Sequence, residues 1–170
     1  MRVWRRHLRK DFGGTLVETA LSIFLLLTFM FGIMEGSLAI YSYHFISNAA
    51  REGTRYAIVR GSDWSSACTS SVTSGCTVTA AQLETYVTSL SFPGIDTTKL
   101  IVTPQCSTTS ANGVLSTTFV TFPGTCNAAG DVVQVTVTYP YSVPIAGIKG
   151  SCTAPVKWCL TSTSEMVISQ

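Results

Sequence analysis

Cysteine is the residue type in this 170-residue chain with the most chemistry to offer, and it occurs six times, at Cys68, Cys76, Cys106, Cys126, Cys152 and Cys159. No CxxC pair is present, and the spacings do not suit a zinc site. An even number set in Ser/Thr/Gly-rich stretches such as SSACTSSVTSGCT points instead to disulfides formed in an oxidising compartment. Six cysteines allow fifteen connectivities, and the pairing expected here is sequence-local: Cys68 with Cys76, Cys106 with Cys126 and Cys152 with Cys159. The two histidines, His7 and His44, lie early in the chain, so no Ser/His/Asp or Cys/His site is expected in the cysteine-bearing part. Asp63, Glu84, Asp96, Asp131 and Glu165 are scattered and offer no glycosidase-like carboxylate pair. Ile148-Lys149-Gly150-Ser151 lacks the spacing of a phosphate loop and reads as a turn. No metal and no cofactor is expected, and the chain is not expected to be an enzyme.

The elements that carry these residues are unusual in composition. Only 12% of residues are charged while 46% are hydrophobic, against roughly 25% charged in an ordinary soluble domain. Residues 1–13 hold Arg2, Arg5, Arg6, Arg9 and Lys10 against Asp11; the rest of the chain has six basic and eight acidic side chains. The positive excess lies wholly ahead of the first apolar run, which is a membrane signature rather than a nucleic-acid one.

Thr19 to Met34 is free of charge. Glu18 and Glu35, which bracket it, are 17 positions apart, roughly 25 Å along a helix, close to the hydrocarbon thickness of about 30 Å. Both carboxylates can therefore lie near the interfaces. The basic cluster sets the N-terminus in the cytoplasm and the cysteines outside. A cleaved signal peptide is the competing reading, with small residues at Ser37-Leu38-Ala39. Against it, Ala39, Tyr43, Ile46, Ala50, Gly53 and Ala57 continue a helical stripe through that point, with Ser47, Asn48, Arg51, Thr54 and Arg55 largely off it. One helix is expected from Gly14 to Arg60, stopped by Gly61.

Beyond it, Gly61 to Cys76 reads as a loop. Thr79 with Gln82 forms a capping-box signature for a short helix bearing Leu83, Val87 and Leu90 on one face, ended by Phe92-Pro93-Gly94. Leu100 to Thr103, broken by Pro104, and Val114 to Phe122 read as strands flanking an Asn112-Gly113 turn. Asp131 to Tyr141 alternates clearly, with Val133, Val135, Val137 and Tyr139 on one face. Leu160 to Ser169 closes the chain with Met166 and Ile168 on one face. The expected fold is α+β: a long N-terminal transmembrane helix packed on a small antiparallel sheet of three or four strands, with one short extra helix. Ala49, Ala50, Gly53 and Ala57 would let the sheet approach the long helix.

The junction RRHLRKDFGG-TLVETALSIFLLL, with FGIMEGSLAIYSYHFISNAAREGTRYA after it, resembles the TadE-like family of Tad (Flp) pilus pseudopilins and minor pilins. The resemblance covers residues 5–60 and, more loosely, VVQVTVTYPYSVP and LTSTSEMVIS. It departs at Thr19, where Flp-type pilins commonly have an aromatic. It implies a pilin-like fold in three parts: a basic cytoplasmic leader (1–13), a transmembrane and exported amphipathic helix (14–60), and a disulfide-containing extracytoplasmic domain (61–170). It also implies cleavage between Gly13 and Gly14 by a prepilin peptidase and a place in or beneath a type IV pilus. The protein would then span the inner membrane once, with other pilin subunits, the peptidase and the assembly platform as partners and no nucleic acid. On this reading Glu18 faces the ammonium group created by cleavage; the plainer role is that of a first-turn acid complementing the helix dipole. Glu35 either hydrogen-bonds a neighbouring helix or marks the outer interface. The alternative function is a membrane-anchored adhesin or binding protein, in which Ser/Thr-rich loops recognise a surface and the helix is only an anchor. A helix mutation at Ala50 or Gly53 is expected to separate the two, abolishing assembly under the first and sparing binding under the second.

Overall fold

The computed structural model describes residues 4–60, 78–90, 92–110, 113–124, 126, 128–143, 147–153 and 158–169, with the backbone alone for 4–12. The loop expected at Gly61 to Cys76, with Cys68 and Cys76, and residue Asn112 lie outside these.

One helix, α1 (Trp4–Ile58), dominates the chain. It begins inside the basic leader and passes through Gly13 and Gly14 without a break, so the helix expected from Gly14 starts ten residues earlier. Nothing in residues 4–12 breaks a helix; Arg, Lys and Leu are all good formers. The second helix, α2 (Ala80–Ser89), starts at the expected capping box: the Gln82 backbone N–H donates to the Thr79 hydroxyl, and the Thr79 N–H donates to the Gln82 side chain. Leu83 and Val87 are its buried face. A single 3-10 turn, Thr97–Lys99, leads into the sheet.

Four antiparallel strands follow, β1 (Ile101–Ser107), β2 (Val120–Thr121), β3 (Val132–Pro140) and β4 (Cys159–Val167), arranged in the order β2-β1-β3-β4. Alternation along β3 does what the sequence implies: Val133, Val135 and Val137 are fully buried, facing α1 and α2. On the opposite face, Thr136 bonds Thr163 at 3.0 Å and Thr138 bonds Thr161 at 3.3 Å across the β3–β4 ladder.

Two strand assignments are corrected. β1 runs through Pro104 instead of breaking there. The Pro104 carbonyl accepts from the Phe122 N–H at 3.2 Å, on the β2 side. A strand residue's N–H and C=O point the same way, so the missing proline N–H also faces the short β2 edge, and the ladder with β3 loses no bond. The expected strand from Val114 to Phe122 shrinks to Val120–Thr121. Its first half is tied up in a tight local hairpin: Gly113 N–H donates to Ser110 O in the turn, Ser116 N–H to Thr108 O in the isolated Thr109–Leu115 bridge, and the Ser107 hydroxyl to Ser116 O. Those bonds satisfy backbone groups that a ladder would otherwise use.

The core lies between the C-terminal half of α1 and the sheet, closed at one side by α2. Phe45, Ile46, Ala49, Ala50 and Ala57 contribute from α1 and are buried. At Gly53 a Cβ would lie 2.9 Å from a Val87 methyl and 3.3 Å from a Val135 methyl, so only glycine lets α1, α2 and β3 meet without displacement. The expected stripe needs two changes. Tyr43 is exposed, and Ser42 takes the buried place; Thr54, expected off the stripe, is fully buried. Its hydroxyl lies 2.7 Å from Ala50 O and 3.3 Å from Ser164 O, and that bonding within its own helix is what allows burial.

Candidate functional site: the anchor helix and its junction with the sheet

Gly13 to Met34 is a bare cylinder. Every residue from Gly13 to Met34 is exposed, including Leu21, Phe24, Phe29 and Ile33, because the sheet domain begins to pack only beyond it. The helix is long and apolar enough to cross a membrane, and none of its apolar window is buried within the chain. A soluble core helix would bury that surface; at about 25 cal/mol per Å2, so many exposed large side chains in water would be strongly unfavourable. Within this stretch Thr19 and Thr28 turn their hydroxyls back to carbonyls three or four residues earlier, which hides these polar groups from an apolar surrounding.

The expected processing residues lie at the lower end of this cylinder. Gly13 and Gly14 are helical and exposed, and a Cβ added at either meets nothing within 4 Å. Glu18, one turn further on, is exposed as well. The structure does not bring Glu18 and Glu35 together; they stand at opposite ends of the apolar stretch.

Glu35 lies where the bare helix meets the domain. The Tyr141 hydroxyl, just past β3, is 3.2 Å from the Glu35 backbone oxygen and 3.4 Å from its Oε2. Partial burial raises the Tyr141 pKa above its usual 10.0, and the adjacent Glu35 carboxylate raises it further by charge repulsion and by accepting the phenol's hydrogen bond. A second tie joins the helix to the loop after α2: the Tyr41 hydroxyl donates to Pro93 O at 3.1 Å, and Phe45 packs on Phe92 with ring centroids 4.8 Å apart. Of the two roles open for Glu35, neither foresaw a partner in its own chain. Tyr141 carries no sequence signal for Glu35. The aromatic cluster Tyr139, Tyr141 and Trp158 could have been read as belonging near the membrane, where such side chains concentrate.

Two of the expected disulfides are present. Cys106–Cys126 crosslinks β1 to the segment before β3, with Cα atoms 5.7 Å apart and both side chains fully buried. Cys152–Cys159 spans 5.2 Å between Cα atoms and closes the loop leading into β4. No group of three or more His, Cys, Asp or Glu residues is placed to hold a metal ion among the described residues. Asp131, buried, is committed to structure: its two carboxylate oxygens accept from Thr109 N–H and Ala128 N–H at 2.9 and 3.1 Å.

A membrane-length N-terminal helix whose outer half carries a small antiparallel sheet and one short helix defines the pilin-like class of architecture. The family model described as TadE-like protein matches residues 13–55, from the first glycine through the last polar turn of α1, so this segment is similar to that family. The matched segment is therefore the anchor and its docking face, and the sheet domain stands outside it. No curated protein and no solved structure matches the chain.

Proposed function

We propose that this protein is a structural pseudopilin or minor pilin of a Tad-type type IV pilus, processed between Gly13 and Gly14 and assembled through its N-terminal helix. The TadE-like match over residues 13–55 ties the chain to Tad pilus biology. The observation that carries the reading further is the distribution of packing along α1. The domain is fixed by residues 35–57, and Gly13 to Met34 are exposed throughout. A helix of this kind serves as an anchor before assembly and as a packing surface afterwards, when neighbouring helices replace lipid.

In this proposal residues 1–13 are a leader left in the cytoplasm, 14–60 the spanning and exported helix, and 61–170 the extracytoplasmic domain. The basic residues ahead of the span support that orientation in the inner membrane. Glu18 pairs with the ammonium group that cleavage creates, which offsets the cost of a carboxylate near lipid. The direct partners are the prepilin peptidase, other pilin subunits and the assembly platform.

Mass spectrometry of the mature protein's N-terminus tests it. A chain beginning at Gly14 is expected. A start at Ile40 would identify a cleaved signal peptide, and a retained Met1 a plain anchor; either result discards the processing step.

A further inference from the structure

We propose that the base of the sheet domain is a lipid-seating surface, an aromatic collar that rests on the outer face of the bilayer and sets the height of the domain. The inference rests on the reading that α1 crosses the membrane, and concerns residues outside the span.

The geometry follows from one continuous helix. Gly14 to Met34 covers about 30 Å of axis, which uses up the hydrocarbon layer and leaves Glu35 at its outer edge. The headgroup layer above is about 5 to 8 Å thick on each side. The lowest contact between domain and helix falls there, since the Tyr141 hydroxyl reaches Glu35 itself. The loop after α2 is tied to the helix six residues higher, through Tyr41 and Pro93, about 9 Å along the axis. With α1 unbroken through this region, the domain has no hinge by which to lift away.

What the domain presents at this level is amphipathic. Trp158 is 46% exposed. Trp158 O accepts from Tyr141 N–H at 3.1 Å, which holds the indole-bearing residue beside Tyr141. The chain from Tyr141 turns back on itself through the Val143–Ile148 bridge, presenting exposed Ile148 and Lys149. Gly150 lies against the end of β3, since a Cβ there would collide with the Tyr141 carbonyl. Indole, phenol and a lysine beside them are the groups that settle at the water–lipid boundary, ring inward and polar end outward. In water alone, exposed aromatic and aliphatic groups gathered at one end would have nothing to cover them.

The test uses the full chain in nanodiscs at one copy per disc. Trp4→Phe and Trp64→Phe leave Trp158 as the reporter, and Ile148→Trp with Trp158→Phe gives a second. Both reporters should lose most of their emission to lipids carrying a nitroxide at the headgroup and little to lipids labelled near the chain ends, with weak quenching by aqueous iodide. Full access to iodide and indifference to both labelled lipids would overturn the seat. Protection absent at one copy per disc but present in discs loaded with two would assign the collar to a second copy and also overturn it. A Phe24→Trp reporter separates this result from failure of the membrane reading: it should respond to the deep label whether or not the collar seats. If it does not, α1 is not a span and the collar falls with it.

Discussion

Tyr141 reaches across 106 positions of sequence to place its hydroxyl on Glu35, joining the end of β3 to the point where α1 leaves its apolar stretch. The hydrogen bond needs a protonated phenol. Because the folded pKa is raised above 10.0, the contribution is fully present below the unfolded value. It is lost as pH rises through the folded value, since ionisation would set a phenolate beside a carboxylate. The latch is thus intact at neutral pH and fails only in alkali. Tyr141→Phe should remove a phenol that ionises above the ordinary tyrosine range from an absorbance titration of phenolate, and cost about 1 kcal/mol of domain stability. Loss of amplitude from the main tyrosine transition, with the alkaline end of the curve unchanged, would show that Tyr141 does not face Glu35.

Gly53 should tolerate no branched side chain. Its Cβ position meets methyl groups of Val87 and Val135, so Gly53→Val should destabilise by about 1 to 3 kcal/mol through overpacking. Gly53→Ala should cost less, since alanine regains about 1 kcal/mol of helix propensity. Adding Val87→Ala to Gly53→Val should restore part of the loss in thermal unfolding; strict additivity of the two changes would mean that the helices do not meet there. This burial also corrects an expectation from the sequence. Ala50 and Gly53 face the chain's own core, so mutating them tests the fold and does not separate an assembly role from an adhesive one.

What could be read from the sequence divides along physical lines. α1, α2 and β3 announce themselves because each carries a complete local pattern: an uncharged run, a capping box, a strict alternation. The local disulfides follow from short spacing. Pro104 misled because its tolerance depends on which neighbour its missing N–H faces, a property of sheet order. Val114 to Phe122 misled because its β-forming composition competes with serine and threonine hydroxyls that bond nearby backbone. Thr54 falls outside the stripe by spacing, yet it is buried because its hydroxyl is satisfied by Ala50 O within its own helix. The Glu35–Tyr141 contact had no local signal at all. At the other end, Gly13, Gly14 and Glu18 stand out by family resemblance alone, and all three are helical and exposed.

The two observed disulfides should differ in accessibility. Cys106 and Cys126 are fully buried, while Cys152 and Cys159 are partly exposed at the base of the sheet. Thiol exchange requires a reductant to reach sulfur. Under native conditions a mild phosphine should open Cys152–Cys159 first and reach Cys106–Cys126 only when the domain unfolds. Peptide mapping after timed alkylation distinguishes the two, and simultaneous labelling would contradict the burial of the 106–126 bridge. Replacing Cys106 and Cys126 together by alanine should cost about 2 to 4 kcal/mol.

Gly13 and Glu18 should carry separable functions, and their surroundings make the test clean. A peptidase must draw an extended strand of backbone into its active site, but Gly13 and Gly14 are helical in the structure. Each glycine weakens the helix by about 1 kcal/mol relative to alanine, so the pair is the place where local unwinding is easiest. A side chain added at position 13 meets no other part of the protein. Gly13→Val should therefore leave the fold intact and still block cleavage, retaining the leader as extra mass on an otherwise normal chain. Glu18 lies beyond the bond to be cut, and its carboxylate gains a partner only once cleavage has made an ammonium group. Glu18→Ala should be processed substantially yet enter assemblies poorly, as read by comparing the mass of the membrane-bound chain with its abundance in sheared pili. Should both variants be cleaved and assembled like the parent, the helix is a plain anchor and neither residue has the proposed role.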